Sequence, residues 1–352
     1  MKKILLLIIL ILLFTLNYKT AVAEMKGLNS EVTRMSIQDQ TPEFAILKAF
    51  ETHSLVAIGD YHWAPSIMEA VTNIVTNPEL TQEVQHIVVE FGNARHQDLL
   101  DGYLAGDEMS EQQLAQVYRD ALYFTAWMPT VYHDFFKAVR AHNLTADKAK
   151  QIKVTLAEKP FYWEQVTDND VWKRAASTKV DGFISRISQA IESHEKTLFI
   201  FGAFHLLKLP NDIARIVDKS QLPMMSQLEQ KYPQQTFTIW PLTNPKLINT
   251  LSSYKKPSVI TTSSDALKAL PFIDFLPKAA RQLATLNAQE LMLHDLADAV
   301  LYVGEAKVNY QLPKSVLADE TWIQELGRRL EIMGGKLKVR YEEIIESSYE
   351  SE

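Results

Sequence analysis

Two apolar runs in the chain end alike. Leu55-Val56-Ala57-Ile58-Gly59-Asp60-Tyr61-His62 and Leu198-Phe199-Ile200-Phe201-Gly202-Ala203-Phe204-His205 each pass through a glycine to a histidine three positions later. A third run between them, Ile87-Val88-Val89-Glu90-Phe91-Gly92-Asn93, carries one ionisable group, Glu90. Two imidazoles and two carboxylates, His62, His205, Asp60 and Glu90, are enough to activate water. In one arrangement His62, Glu90 and His205 hold a divalent metal ion and leave a position for water, as two-histidine, one-carboxylate sets do. The ion lowers the pKa of that water and Asp60 takes the proton. In the other arrangement a histidine aligned by a carboxylate activates water directly, and the second histidine or Arg95 balances the developing charge. The spacing is compatible with both, and both are hydrolyses. Taken singly, a histidine after a strand is usually an ordinary hydrogen-bonded residue; it is the repeat of Gly-x-x-His that marks a site.

For these side chains to meet, the runs that carry them must be neighbouring strands, with the chemistry at their carboxyl ends. Strands are predicted at Leu55 to Gly59, His86 to Phe91, Ile152 to Leu156, the run from Leu198, Phe237 to Trp240, and Asp298 to Gly304. Thr41 and Pro42 open a helix over Phe44 to His53, and Ile67, Val71, Ile74 and Val75 recur at helical spacing after Pro65. This alternation predicts an α/β fold with a central, mostly parallel sheet flanked by helices.

An all-helical insertion follows the second strand, over about residues 93 to 143. Its helices are expected at Arg95 to Leu104, Ser110 to Tyr123 with a capping box, and Pro129 to His142. It is crowded with aromatics (Tyr118, Tyr123, Phe124, Trp127, Tyr132, Phe135, Phe136), which reads as a core layer before it reads as a pocket wall. One long helical pattern runs from Asp170 to Ser193. From about 241 to 352 the chain reads as an extended wrap on a single domain spanning 24 to 352. That stretch carries a helix over Asp319 to Met333 and a charged tail, from Tyr341, that frays.

The composition, 47% hydrophobic and 22% charged over 352 residues, is that of a globular chain with a real core. The net charge of -7, with lysine and arginine dispersed, gives no footprint for nucleic acid. Lys2 and Lys3, the apolar stretch Ile4 to Leu16, and Ala21-Val22-Ala23 read as a signal peptide over residues 1 to 23. The apolar stretch is shorter than the roughly 20 residues a membrane span needs. The expectation is a periplasmic or secreted protein without a stable membrane span. With no cysteine in the chain, lipidation at cysteine, disulfides and thiol chemistry are all excluded.

Gly59-Asp60-Tyr61-His62, Val88-Val89-Glu90-Phe91-Gly92-Asn93 and Phe201-Gly202-Ala203-Phe204-His205-Leu206, in that order, resemble a known superfamily. It joins erythromycin esterase-like hydrolases, ChaN haem-binding lipoproteins and the Tiki/TraB proteins. Ala138-Val139-Arg140-Ala141-His142-Asn143 and Ala297 to Gly304 are similar to exported members of that group, and the likeness covers about residues 45 to 335. The resemblance implies that His62 and His205 are the paired site histidines and that Glu90 is the glutamate between them. Where the family commonly has Gly-Glu-x-His, this chain has Asp60, one methylene shorter. The resemblance implies an exported hydrolase acting on a small-molecule or peptide substrate, with a divalent metal ion as its cofactor in the metal-dependent members. The alternative it offers is a haem-binding protein, for which Tyr61, beside His62, is the candidate ligand.

Overall fold

A computed structural model of the chain describes residues 41 to 350 except 194, 216, 219 to 221 and 273 to 290. The signal-peptide reading of residues 1 to 23 lies outside the described residues. Residues Thr41–Glu352 make one compact unit. Seven strands form its sheet: β1 (Leu55–Asp60), β2 (His86–Asn93), β3 (Lys153–Glu158), β4 (Thr197–Gly202), β5 (Thr236–Pro241), β6 (Ser258–Thr261) and β7 (Ala299–Tyr302). Their order is β3-β2-β4-β1-β5-β7-β6, and every pairing is parallel except β6 on β7. The protein is therefore an α/β protein built on a mostly parallel sheet.

β1 and β4 are buried along their whole length, as strands covered on both faces must be. Alternate residues divide between the faces. Val56 and Ile58 face a core shared with Ile67, Val71, Leu100 and Phe135. Leu55 and Ala57 face one shared with Phe183, Ile187 and Leu228. Each fully buried aliphatic side chain contributes about 1.5–3 kcal/mol, so the two faces together fix the register of the strands.

The first face is covered by α1 (Pro42–Ala49), α2 (Pro65–Val75), α3 (Gln97–Ala105), α4 (Glu111–Arg119) and α5 (Val131–Thr145). Thr41 caps α1 by accepting from Phe44 N, and Ser110 closes the capping box of α4 with Gln113. The second face is covered by α7 (Lys179–Glu192) and α8 (Met224–Lys231), whereas α6 (Asn169–Ser177) packs through Trp172 into a separate aromatic layer. The expected single helix over Asp170 to Ser193 is thus two. Thr178 ends α6 and begins α7 with non-helical backbone angles, a break that periodicity does not register.

The carboxyl-terminal part differs more from expectation. Ser258–Thr261 is the antiparallel edge strand β6, too short to show alternation in sequence. Beyond it come α9 (Glu320–Met333), capped by Asp319, and α10 (Gly335–Glu350). The tail from Tyr341 is therefore folded helix and not frayed, because Tyr341, Ile344 and Ser348 share one face and bury it. Tyr341 and Ile344 join Trp63, Phe124, Trp163, Trp172, Trp322 and Leu326 in an aromatic-rich layer. No helix among the described residues is long and apolar enough to cross a membrane.

Candidate functional site

The strand order places the three expected site strands side by side as β2-β4-β1. β4 sits between β1 and β2, and the chain leaves β1 and β4 in opposite directions across the sheet. That switch of direction opens a crevice at the strand carboxyl ends. In the parallel register Asp60 lies opposite Gly202, so both Gly-x-x-His turns leave the sheet at one level.

After β1 the chain turns at once. Ala64 N donates to Tyr61 O at 3.0 Å, and Trp63 is held at a φ of 67°. For a large non-glycine residue this is a left-handed conformation that must be imposed by its surroundings. It is held by Asn309 N donating to Trp63 O at 2.7 Å and by burial of the indole. The turn brings His62 back over its own strand, where its Nδ1 lies 2.9 Å from Asp60 Oδ2. Tyr132 Oη donates to the same oxygen at 2.7 Å, and Trp127 stands edge-on to the imidazole at 4.4 Å. Asp60 is buried whereas the His62 side chain keeps 34% of its exposure. The carboxylate thus fixes the ring from behind and the ring faces the cavity.

β2 delivers Glu90 through an irregularity. Its register against β3 shifts between Val89 and Asn93, so that four residues of β2 span two of β3; such bulges re-aim side chains beside active sites. Gly92, at a φ of 155°, lets the strands close, since a Cβ there would meet Leu156 Cδ2 at 2.5 Å. Glu90 Oε2 accepts from Gly202 N at 2.6 Å, and Glu90 Oε1 lies 2.7 Å from Lys179 Nζ and 3.2 Å from His205 Nε2. Gly202 is required by close approach: a Cβ there would lie 2.9 Å from His62 Nε2 and 3.0 Å from Glu90 Oε2. His62, Glu90 and His205, more than a hundred residues apart at the extremes, therefore meet around one glycine.

The electrostatics separate two buried carboxyl groups. Burial alone would raise the Glu90 pKa, but Lys179 and His205 override it and hold the group well below the ordinary range. Glu158, also buried, has no such pair. Burial raises it to about 8, against the opposing pull of Lys179 and of the Leu122 N–H that donates to its Oε1 at 2.6 Å. One ammonium cannot neutralise two carboxylates, so Glu90 keeps the charge and Glu158 keeps a proton at neutral pH. Lys179 is raised in turn: burial opposes its charge, but Glu90 and Glu158 outweigh burial. Burial, together with the charge of Asp60, pushes Tyr132 well above its ordinary value, which keeps it a donor.

Asp60, Tyr61, His62, Gly202 and His205 line a cavity of about 270 Å³ together with Tyr310, Arg340 and Tyr341, which form its outer wall. Asp60 Oδ1 and Trp63 Nε1 are buried on its wall without a hydrogen-bond partner among the described residues.

Arg95 is not part of this constellation. The 3₁₀ turn after β2 directs it outward, where Nη1 pairs with Glu164 at 2.9 Å and the guanidinium covers the Tyr162 ring at 4.7 Å. Lys179 is the cation at Glu90 instead. Its sequence signal is faint, because it depends on the helix break at Thr178. Tyr132 and Trp127 were visible only as members of the aromatic crowd; that crowd is core, and these two touch Asp60 and His62 from within it.

The three expected metal ligands meet, yet not as a ligand set. Both Glu90 oxygens already serve Lys179, His205 and Gly202 N, and a cation would face the Lys179 ammonium. Among the described residues no group of three or more histidines, aspartates and glutamates is arranged to hold a metal ion. Burial, reinforced by Tyr310 and opposed by Arg340, raises the pKa of Tyr61 above its ordinary value.

The sequence matches no family model and no curated protein. Solved structures to which the chain is similar include a Bacillus cereus protein, 10% identical with a TM-score of 0.38, over 60% of this chain and 70% of that one. Another is the type III effector HopBA1, 15% identical with a TM-score of 0.37, over 78% of this chain and 95% of the effector.

Proposed function

We propose that the chain is a hydrolase of the erythromycin esterase-like kind, in which His62 activates water without a metal ion. The observation that carries this reading is the contact of Asp60 Oδ2 with His62 Nδ1. With Nδ1–H donating to Asp60, Nε2 is free to take a proton from water. The carboxylate then stabilises the imidazolium as it forms. Tyr132 keeps Asp60 in place by donating to the same oxygen. Glu90 orients His205 across Gly202, and His205 in its cationic form can donate toward the oxyanion or the leaving group. Because Lys179 neutralises Glu90, the pair adds little net charge to the cavity and leaves the field of Asp60 to act on His62. The substrate is an ester, lactone or amide of a small molecule or short peptide. Export to the periplasm or beyond rests on the signal-like residues 1 to 23.

The test is turnover of small p-nitrophenyl esters and short peptides by the purified protein. His62→Ala is expected to lower kcat/KM by about 10²–10⁴, the usual worth of a positioned general base, with little change in Tm; undiminished turnover would reject the assignment. Asp60→Asn should approach the same loss by favouring the wrong tautomer. Activity should survive dialysis against a chelator. A loss restored by adding a divalent ion would bring back the metal route.

A further inference from the structure

The hydrolase reading leaves open what the substrate carries beside its scissile bond, and the outer wall of the cavity bears on that. This wall is made by α10, which supplies Arg340 and Tyr341, and by the stretch of chain before α9, which supplies Tyr310. The guanidinium carbon of Arg340 lies 5.0 Å from the Tyr310 ring centroid and 5.7 Å from that of Tyr341. Stacking of this kind fixes the plane of the guanidinium while leaving its N–H donors available. Arg340 is in no ion pair among the described residues. Of the acids near it, Glu342 on α10 and Glu331 on α9 both face Lys338, at 3.7 and 2.6 Å.

Arg340 is also the one Lys or Arg side chain on the cavity wall, and Asp60, committed to His62 and Tyr132, is the one acid there. Trp63 packs its ring against both Tyr310 and Tyr341 and holds them in place. An oriented guanidinium in no ion pair and aromatic walls form a receptor for an anion at the end of a short apolar stem. One guanidinium matches one unit of negative charge and its fork matches a carboxylate. A phosphate dianion would need a second cation, and among the described residues the other basic side chains lining the cavity are His62 and His205, which the reaction uses.

We infer that Arg340 binds a carboxylate on the substrate, so that the preferred substrates are esters or amides with a free carboxylate a few carbons from the scissile carbonyl. This rests on the hydrolase reading for the word substrate but not for the binding itself, and two arms keep them apart. In the binding arm, calorimetry compares 4-phenylbutyrate, 4-phenylbutanamide and phenyl phosphate. Wild-type protein should bind the carboxylate at least about tenfold tighter than its amide, and Arg340→Gln and Arg340→Ala should remove that difference. Equal binding of acid and amide, no binding of either, or a preference for phenyl phosphate each overturns the inference.

In the turnover arm, the half-ester p-nitrophenyl hydrogen glutarate is compared with p-nitrophenyl valerate. Arg340→Gln should lower the ratio of their kcat/KM values by at least about tenfold, and an unchanged ratio overturns the inference. If neither ester turns over, the hydrolase reading fails while the binding arm still decides the role of Arg340.

Discussion

Lys179 Nζ lies 2.7 Å from Glu90 Oε1, with both side chains nearly removed from solvent. A pair of this kind is held by the cost of breaking it more than by its own net stabilisation. Lys179→Met should therefore destabilise the fold by about 3–5 kcal/mol, because it strands a carboxylate inside the protein. Glu90→Gln should cost less, because Glu158 also faces Lys179 and can take up the charge that Glu90 gives up. The double variant should lose clearly less than the two single losses added together. Urea denaturation of the four proteins measures this, and strictly additive losses would show that the two groups are not coupled.

Glu158 gives the stability a pH dependence of known sign. Its folded-state pKa, raised to about 8 chiefly by burial, lies above its ordinary value of 4.5. The folded state therefore holds this proton more tightly than the unfolded one. The contribution is fully present below about pH 4.5 and is lost as pH rises through about 8. The full swing is on the order of 4 kcal/mol. Glu90, shifted downward, acts in the other window: it stabilises above the ordinary carboxylate range and its contribution disappears in acid. Glu158→Gln keeps an acceptor for Leu122 N and has no proton to lose. Denaturation between pH 5 and 9 should show the wild type weakening relative to this variant as pH rises; parallel curves would contradict the placement of that proton.

The parts of the molecule that were legible in the sequence are those written in short, strong patterns. β1 and β4 are runs of apolar residues stopped by glycine, and burial on both faces needs nothing else. The convergence of His62, Glu90 and His205 follows from parallel strands whose carboxyl ends share an edge. What escaped was what depends on one backbone angle or on a face seen only in three dimensions. Lys179 reaches Glu90 because the helix breaks at Thr178, and Arg95 misses because a 3₁₀ turn points it at Glu164. Charge in the last turns of the chain hid the stripe of Tyr341, Ile344 and Ser348, which is the apolar side of a helix whose other side is wet.

Gly202 tests the proximity of the two halves of the site. An alanine Cβ would stand 2.9 Å from His62 Cε1 and Nε2 and 3.0 Å from Glu90 Oε2, all inside contact distance. The imidazole must give way, since the glycine is anchored by its own N–H to Glu90 and by pairing with Asp60 in β1. Gly202→Ala should therefore cut kcat/KM by about 10² or more through loss of the His62 geometry. Its thermodynamic cost should be the 1–3 kcal/mol typical of overpacking. Activity close to wild type would mean that His62 does not work from the position it occupies here.

Tyr341 decides whether α10 is part of the folded protein. Its ring is 7% exposed, packs 6.3 Å from the Trp63 ring and shares an aromatic layer with Trp322 and Leu326. The helix is further tied down where Leu312 N donates to Ser348 Oγ at 2.9 Å and Tyr349 Oη donates to Leu317 O at 3.3 Å. Removing a buried aromatic ring leaves a cavity and costs about 3–5 kcal/mol. Tyr341→Ala should lose an amount in that range by chemical denaturation, with a changed near-ultraviolet signal from the loosened tryptophans. The substitution should also weaken carboxylate binding, because Arg340 loses one of the two rings that orient it. A cost below about 0.5 kcal/mol, the level of an ordinary surface substitution, would mean that the last turns of the chain do not pack on the rest, and the outer wall of the cavity would have to be assigned to other residues.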